Sequence, residues 1–158
     1  MTHLIRKYTR EDTEGIKKCL IELQDFERLM DPKRLEGVRV AHEYLEHLLS
    51  LCENGNGTIF VVEINCEVVG MVSVYIENDL KRFRTNHKFA YISDLIVMKE
   101  HKSDGVIKDP FDAAEKYVKS KNVNSIQASV LKNHDESLSG YLRNGFSEWE
   151  IRVRKTLI

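Results

Sequence analysis

The stretch His42-Glu43-Tyr44-Leu45-Glu46-His47 has the residue types of a hydrolytic zinc site, two imidazoles with a carboxylate between them. A helix grips one metal with histidines four apart, which brings both to one face. Here they are five apart, about 140° around a helix, and the pair cannot hold one ion together. Cys19, Cys52 and Cys66 are odd in number and widely spaced, with no Cys-x-x-Cys pair for zinc or disulfide exchange. Neither a Walker phosphate loop, a Rossmann glycine set nor a Gly-x-Ser-x-Gly elbow occurs. The expectation is a protein without a metal site. Lys81-Arg82-Phe83-Arg84 is a basic cluster placed after a strand, and it reads as a solvated turn.

The elements that would position any chemistry follow from periodicity. His3 to Tyr8 reads as a short strand, and Thr9-Arg10-Glu11-Asp12 as a helix start with a capping hydroxyl and an acid three residues on. Ile16, Cys19, Leu20, Leu23 and Phe26 recur at helical spacing, so one face of that helix is buried. Asp31-Pro32 and Gly37 break the pattern. A second helix carries Ala41, Tyr44, Leu45, Leu48, Leu49 and Cys52 on one stripe and ends at Asn54-Gly55-Asn56-Gly57.

Two β-rich runs, 58–64 and 67–76, flank Asn65-Cys66, which suggests a hairpin although Cys is a poor turn residue. After a polar loop come a third apolar run over 89–98, a helix over 110–120, a strand over 125–131 and a short helix over 137–143. In a last strand Trp149, Ile151 and Val153 alternate with Glu150, Arg152 and Arg154. The order β-α-α-β-β-β-α-β-α-β predicts one α/β layered domain over residues 1–158, its mixed sheet flanked by helices.

The 158 residues suffice for one core. A chain 42% hydrophobic and 31% charged is that of a globular protein. The 24 basic and 25 acidic residues leave a formal charge of −1, so no global field argues for nucleic acid or a membrane surface. No leader-like apolar region or membrane-length apolar run is seen. A cytoplasmic protein with reduced thiols is expected.

Three stretches together resemble the GCN5-related N-acetyltransferase superfamily over nearly the whole chain. Phe60-Val61-Val62-Glu63 through Val68-Val69-Gly70 is similar to the family's second and third strands. Tyr91-Ile92-Ser93-Asp94-Leu95-Ile96-Val97, with the loop after it and Ala113-Ala114-Glu115, is similar to the central strand, pyrophosphate loop and helix. Val130 to Asn133 followed by Tyr141-Leu142-Arg143-Asn144-Gly145-Phe146 is similar to the closing Asn…Tyr-x-x-x-Gly-Phe.

The resemblance implies a mostly antiparallel central sheet and direct acetyl transfer from acetyl-CoA to an amine of a small molecule or protein. It implies that backbone groups of Leu95, Ile96 and Val97 meet the pantetheine, that Asn133 contacts it, and that loop N–H groups at a helix start hold the pyrophosphate. Tyr141 matches the residue that protonates the departing thiolate, a task a phenol can do, although a packed core Tyr explains the position as well. Many relatives place a Glu base where Ser93 stands, and Ser cannot take a proton at neutral pH. Asp94 is the substitute, yet strand alternation points it to the opposite face unless a bulge intervenes. His101 and His134 lie near the same segments and read as solvated.

The pyrophosphate loop departs from the family's Arg/Gln-x-x-Gly-x-Gly/Ala. Lys102-Ser103-Asp104-Gly105-Val106-Ile107 keeps a cation and the first Gly, but Ile107 crowds a backbone approach and Asp104 adds a negative charge. Asp109-Pro110-Phe111-Asp112 predicts a helix starting at Pro110 with Asp109 as its cap, since a residue before proline is pushed out of the α region. That start lies about one turn late, and its dipole would be displaced from the phosphate. Three readings stand: an active N-acetyltransferase, a relative with weak or no CoA binding kept as a binding or regulatory module, and a homodimer subunit that pairs sheets or terminal strands.

Overall fold

The computed structural model describes residues 3–79, 83, 85 and 87–157, and the side chains of all of these except Asp104. Most of the basic cluster, Lys81, Arg82 and Arg84, therefore lies outside the described residues, while Phe83 sits in an exposed turn.

Among the described residues five strands form one sheet in chain order: β1 (His3–Lys7), β2 (Thr58–Ile64), β3 (Glu67–Asn78), β4 (Lys88–Val97) and β5 (Ile126–Ala128). Neighbours run antiparallel except β4 and β5, which are parallel. The β2–β3 hairpin turns at Asn65-Cys66, both at positive φ (50° and 65°). Asn tolerates that conformation and Cys does not favour it.

Among the described residues four α-helices cover the two faces: α1 (Thr13–Arg28), α2 (Gly37–Asn54), α3 (Lys108–Ser120) and α4 (Asp135–Arg143). The stripes read from the sequence are the buried ones. Ile16, Cys19, Leu20 and Leu23 of α1 and Leu45, Leu48 and Cys52 of α2 pack with Ile59, Val61, Met71 and Ile96 of the sheet. On the other face Phe111, Ala114 and Val118 of α3 and Tyr141 of α4 pack with Val72, Val74, Ala90 and Ile92. Phe26, counted with the α1 stripe, is exposed, and it meets the His134 ring at 4.8 Å between centroids.

Several boundaries differ from expectation. α3 begins at Lys108, not Pro110, so Asp109 is helical and Pro110 is the third helical residue. Proline costs no hydrogen bond there, because the first turn's N–H groups have no intrahelical acceptor. The Asp109 carboxylate also meets the His3 imidazole, and its N–H reaches the Val106 carbonyl at 3.2 Å. α4 starts two residues early, where His134 Nδ1 accepts from the Ser137 N–H at 3.2 Å. β5 is cut to three residues, and the expected last strand forms no strand at all. The three cysteines are free, Cys19 and Cys52 inside and Cys66 outside. No described helix is long and apolar enough to cross a membrane.

Candidate functional site

The centre of the site is a break in β4. Ser73 of β3 pairs with Asp94, but the next residue, Val74, pairs with Ile92, so Ser93 is an extra residue, a bulge. A regular strand would place Ile92 and Leu95, three apart, on opposite faces. Both instead pack toward α3. The expected alternation for Asp94 is thereby corrected: the bulge turns its buried carboxylate toward α2, where the Tyr44 hydroxyl donates to Oδ1. Ser93 and Ser73 share a hydrogen bond at 2.5 Å between hydroxyls beside it.

Around Asp94 the helices supply a polar wall. Arg34, in the turn between α1 and α2, reaches Glu27 Oε2 at 2.8 Å and donates to Gln24 Oε1 at 3.1 Å. Gln24 in turn donates to the Leu35 carbonyl at 3.0 Å, fixing the turn against α1. The Arg34 Nε is buried without a hydrogen-bond partner among the described residues. Burial pushes the Asp94 pKa up, against the hydrogen bonds from Tyr44 and Ser93 and the charge of Arg34. Glu27 is likewise raised, by burial first, with Arg34 opposing and Asp94 adding to the rise. Two carboxylates held in partial or full burial beside one guanidinium make a site that favours an incoming cation.

The second consequence of the bulge is an open strand edge. β5 pairs only with Ala90, Tyr91 and Ile92, and beyond Ala128 its chain leaves the sheet. Among the described residues no strand covers that edge of β4 from Ser93 to Val97, and its amide groups face a splay between the strands. The side chains of the three predicted pantetheine-contacting residues point three ways: Leu95 toward α3, Ile96 toward α1 and α2, and Val97 under the following loop. A ligand bound through backbone atoms leaves these side chains free to pack, and the edge fits such a ligand.

The loop at the end of the splay is built from below. Met98 N donates to Val69 O at 2.8 Å, and Glu22 of α1 accepts from Lys99 N at 2.6 Å. Lys99–Asp104 then forms a 3-10 helix closed by Gly105 at φ 77°, a conformation glycine adopts without strain. Val106 is fully buried beneath it, against Val97, Val62 and Val69. Ser103 is exposed, and Ile107 is 39% exposed with its backbone in the right-handed helical region. The expectation about the charge of Asp104 concerns a side chain outside those described. Lys102, the predicted cation, reaches Glu136 of α4 at 2.6 Å, and that contact holds the Glu136 carboxyl below its usual range. In the first turn of α3, Pro110 brings no N–H and that of Asp109 is spent on Val106, so donors for an anion are few.

Tyr141 of α4 is buried in the core with Phe111, Ile92 and Val74. Its ring is buried edge-on to Phe111 and Phe146, at centroid distances of 5.2 and 5.1 Å. Burial raises the phenol pKa, and the charges of Asp94 and Glu27 raise it further, which keeps the proton on oxygen at neutral pH. The core role and the proton-donor role are compatible in this geometry. Asn133 is exposed in the turn before α4. His134 is half-buried rather than solvated, and burial lowers its pKa. His42 and His47 are exposed on α2, and no cluster of three metal-ligating side chains occurs among the described residues.

Sequence reasoning missed Tyr44, Glu27 and Arg34 as members of the site. Tyr44 was legible only as part of an apolar stripe. Its signal was the hydroxyl, which a buried stripe position must satisfy.

A protein-family model described as the acetyltransferase (GNAT) family matches residues 22–146. Solved structures share the fold at low identity. A transcriptional regulator from Bacillus halodurans C-125 is 18% identical with a TM-score of 0.76, covering 99% of this chain and 100% of its own. A protein described as a predicted acetyltransferase, solved with acetyl-CoA, from Clostridium acetobutylicum is 13% identical with a TM-score of 0.73, covering 98% of this chain and 96% of that one. The aminoglycoside N-acetyltransferase AAC(6')-Iy in complex with CoA is 13% identical with a TM-score of 0.74, covering 99% and 95%. No protein of curated function matches the chain.

Proposed function

The chain belongs to the acetyltransferase (GNAT) family, and from that premise we propose that residues 1–158 act as one acetyl-CoA-dependent N-acetyltransferase domain whose acceptor is an amine of a small molecule or protein. The observation that carries this reading is the bulge at Ser93. One irregularity opens the β4 edge for a backbone-bound ligand and turns Asp94 into the polar space between α2 and α4.

Acetyl-CoA supplies the activated acetyl group. Leu95, Ile96 and Val97 offer backbone groups along the open edge, Lys102 to Ile107 form the phosphate end, and Asn133 lies at the lip before α4. Asp94 takes the proton the amine sheds on acylation, at the carboxylate oxygen Tyr44 does not occupy. Its raised pKa makes it a better base than an exposed carboxylate. Tyr141 gives its phenol proton to the departing sulfur.

A second reading is favoured by one observation. Lys102 is tied to Glu136, and the loop keeps Ile107 where the family carries a small residue, so acetyl-CoA affinity is weak and the domain serves as a binding module. Calorimetric titration with acetyl-CoA and CoA separates the two. Micromolar binding supports the enzyme; absence of binding to the unmodified chain, recovered by Ile107→Gly, supports the module. Given binding, Tyr141→Phe should lower turnover roughly 10²–10⁴-fold with affinity nearly unchanged. An unaltered rate assigns Tyr141 to the core alone.

A further inference from the structure

The sheet face that carries α1 and α2 changes character partway along β3 and β4. Met71 and Ile96 belong to the helix-covered core. Past them the cross-strand pairs on that face are Ser73 with Asp94, Tyr75 with Tyr91 and Glu77 with Phe89. The residues alternating with these, Val72, Val74, Ile76, Ala90 and Ile92, pack toward α3 instead. A face that α1 and α2 merely sealed would go on as Val, Ile and Leu. This one begins at the buried Asp94 carboxylate, crosses aromatic rings and ends at the exposed Glu77.

The rings are held in place. Tyr75 and Tyr91 lie 5.8 Å apart between centroids, tilted by 54°. The Tyr75 hydroxyl donates to the Glu77 carboxylate, which keeps Glu77 on this face, and the Tyr91 hydroxyl donates to Ser129 Oγ at 2.8 Å. With both phenols engaged, Tyr91 and Phe89, each half-buried, offer ring surface to whatever lies along the row. Aromatic rings attract organic cations as well as the apolar stems that carry them. At the near end Glu27 is matched by Arg34 at 2.8 Å, so the anionic charge left there is that of Asp94. Glu77 adds a negative charge at the far end.

Resting on the acetyl-transfer reading above, we propose that this row binds the body of the acceptor, and that the acceptor is a linear aliphatic diamine or polyamine. One nitrogen sits at Asp94, the chain runs over Tyr91 and Phe89, and a second ammonium meets Glu77. The length follows from the strand. β3 rises about 3.4 Å per residue, so Ser73, opposite Asp94, and Glu77 are about 13 Å apart. An extended chain advances about 1.2 Å per bond. Nitrogens roughly nine to eleven bonds apart therefore span the row, and those of diaminobutane fall well short of it.

Calorimetric titration of the full chain with diaminobutane, octylamine and diaminooctane, with and without CoA, tests the proposal. Diaminooctane is expected to bind roughly three- to tenfold more tightly than either of the others, as one partly exposed ion pair allows. Glu77→Gln should bring diaminooctane down to the affinity of octylamine, and Glu77→Asp, which keeps the charge, should retain most of the preference. Thiol release from acetyl-CoA gives a second readout. There Glu77→Gln should raise KM for diaminooctane roughly three- to tenfold with little change in kcat, because the far ammonium is held alike before and during transfer. Equal affinities for the three amines, or a preference that survives Glu77→Gln, overturns the inference. Thiol release no faster with diaminooctane than with octylamine overturns it too, while acetyl transfer itself stands. Glu77-dependent binding of diaminooctane without any thiol release does the reverse: the row is upheld as a diamine site and the acetyl-transfer reading falls.

Discussion

Asp12 is the residue whose loss should cost most stability for the smallest change in shape. It is buried at the entrance to α1, where its two oxygens receive Arg6 Nη1 and Nη2 at 2.8 Å each, and Oδ2 also accepts the Thr9 N–H at 2.7 Å. Arg6 is shared with Glu63 of β2 at 2.6 Å, so the trio ties β1, β2 and the start of α1 together. These contacts, the Arg6 hydrogen bonds foremost, lower the Asp12 pKa from 3.8 to about 2. That difference corresponds to about 2 kcal/mol of folding stability at neutral pH.

A carboxylate lowered on folding stabilises above its unfolded pKa and loses the contribution as pH falls through the folded one. Asp12→Asn should therefore lower stability by about 2 kcal/mol at pH 7, or roughly 4–8 °C in Tm for a domain of this size. The gap should persist down to about pH 4 and close by about pH 2. Urea unfolding of both chains across that range is the assay. A gap that stays constant between pH 7 and pH 2 would show that Asn disturbs packing and that the ionised pair contributes nothing. A gap near zero at pH 7 would refute the reasoning altogether.

Tyr44→Phe removes a donor to ionised Asp94, and a hydrogen bond to a charged acceptor is worth about 1.5–3 kcal/mol. Since burial already raises Asp94, the loss raises it further, and acetylation at acid pH should fall roughly ten- to a hundredfold while the rates converge at high pH; a loss equal at every pH would take Tyr44 out of the base's environment. Gly70→Ala would set a Cβ 2.8 Å from the Ile96 carbonyl oxygen, forcing β3 and β4 apart. Its expected cost is about 1–3 kcal/mol in urea unfolding, with weaker acetyl-CoA binding as the β4 edge shifts, and normal stability would mean the strands yield freely. Glu136→Gln frees Lys102, and because an exposed pair is worth at most about 1 kcal/mol, acetyl-CoA affinity should rise up to about fivefold. Unchanged affinity in a calorimetric titration would show that Lys102 does not meet the phosphates.

Elements with a strong internal period were legible in the sequence. The stripes of α1 and α2 and the hairpin at Asn65-Cys66 needed only spacing and turn chemistry, because their burial follows from neighbours close in the chain. The strand over 149–153 did not form, although its alternation is as clear as any. A strand exists only against a partner, and the pattern encodes a face without saying which edge will meet it. β5 shows the same limit: 129–131 has strand-like residues, but the parallel neighbour has already diverged at Ile92. Of the residues proposed for the site, Asp94 and Tyr141 could be named from the resemblance. Tyr44, Glu27 and Arg34 could not, because they reach Asp94 only through the packing of helices some 50 residues or more distant in sequence.

The proline at 110 shows how a local rule can be right about cost and wrong about outcome. Position before proline disfavours the α region for Asp109, but the penalty is finite. Here the Asp109 N–H has an acceptor in Val106 O, its carboxylate meets His3, and Pro110 at the third helical position forfeits no intrahelical bond. The helix therefore starts two residues before the expected point, and its dipole is displaced less from the loop than the sequence implied. In the first turn of α3 donors are few, and the cation of the loop, Lys102, is already paired. Pro110 has no N–H, that of Asp109 is occupied, and Lys102 leans on Glu136. The strength of acetyl-CoA binding then turns on whether the phosphates can take Lys102 from Glu136, a competition between two anions for one ammonium. Phosphate carries the greater charge and Glu136 is held at short range, so the balance is set by how much of the pair's exposure to water already weakens it. The functional question of this chain therefore lies in the Lys102–Glu136 ion pair, and no longer in where α3 begins.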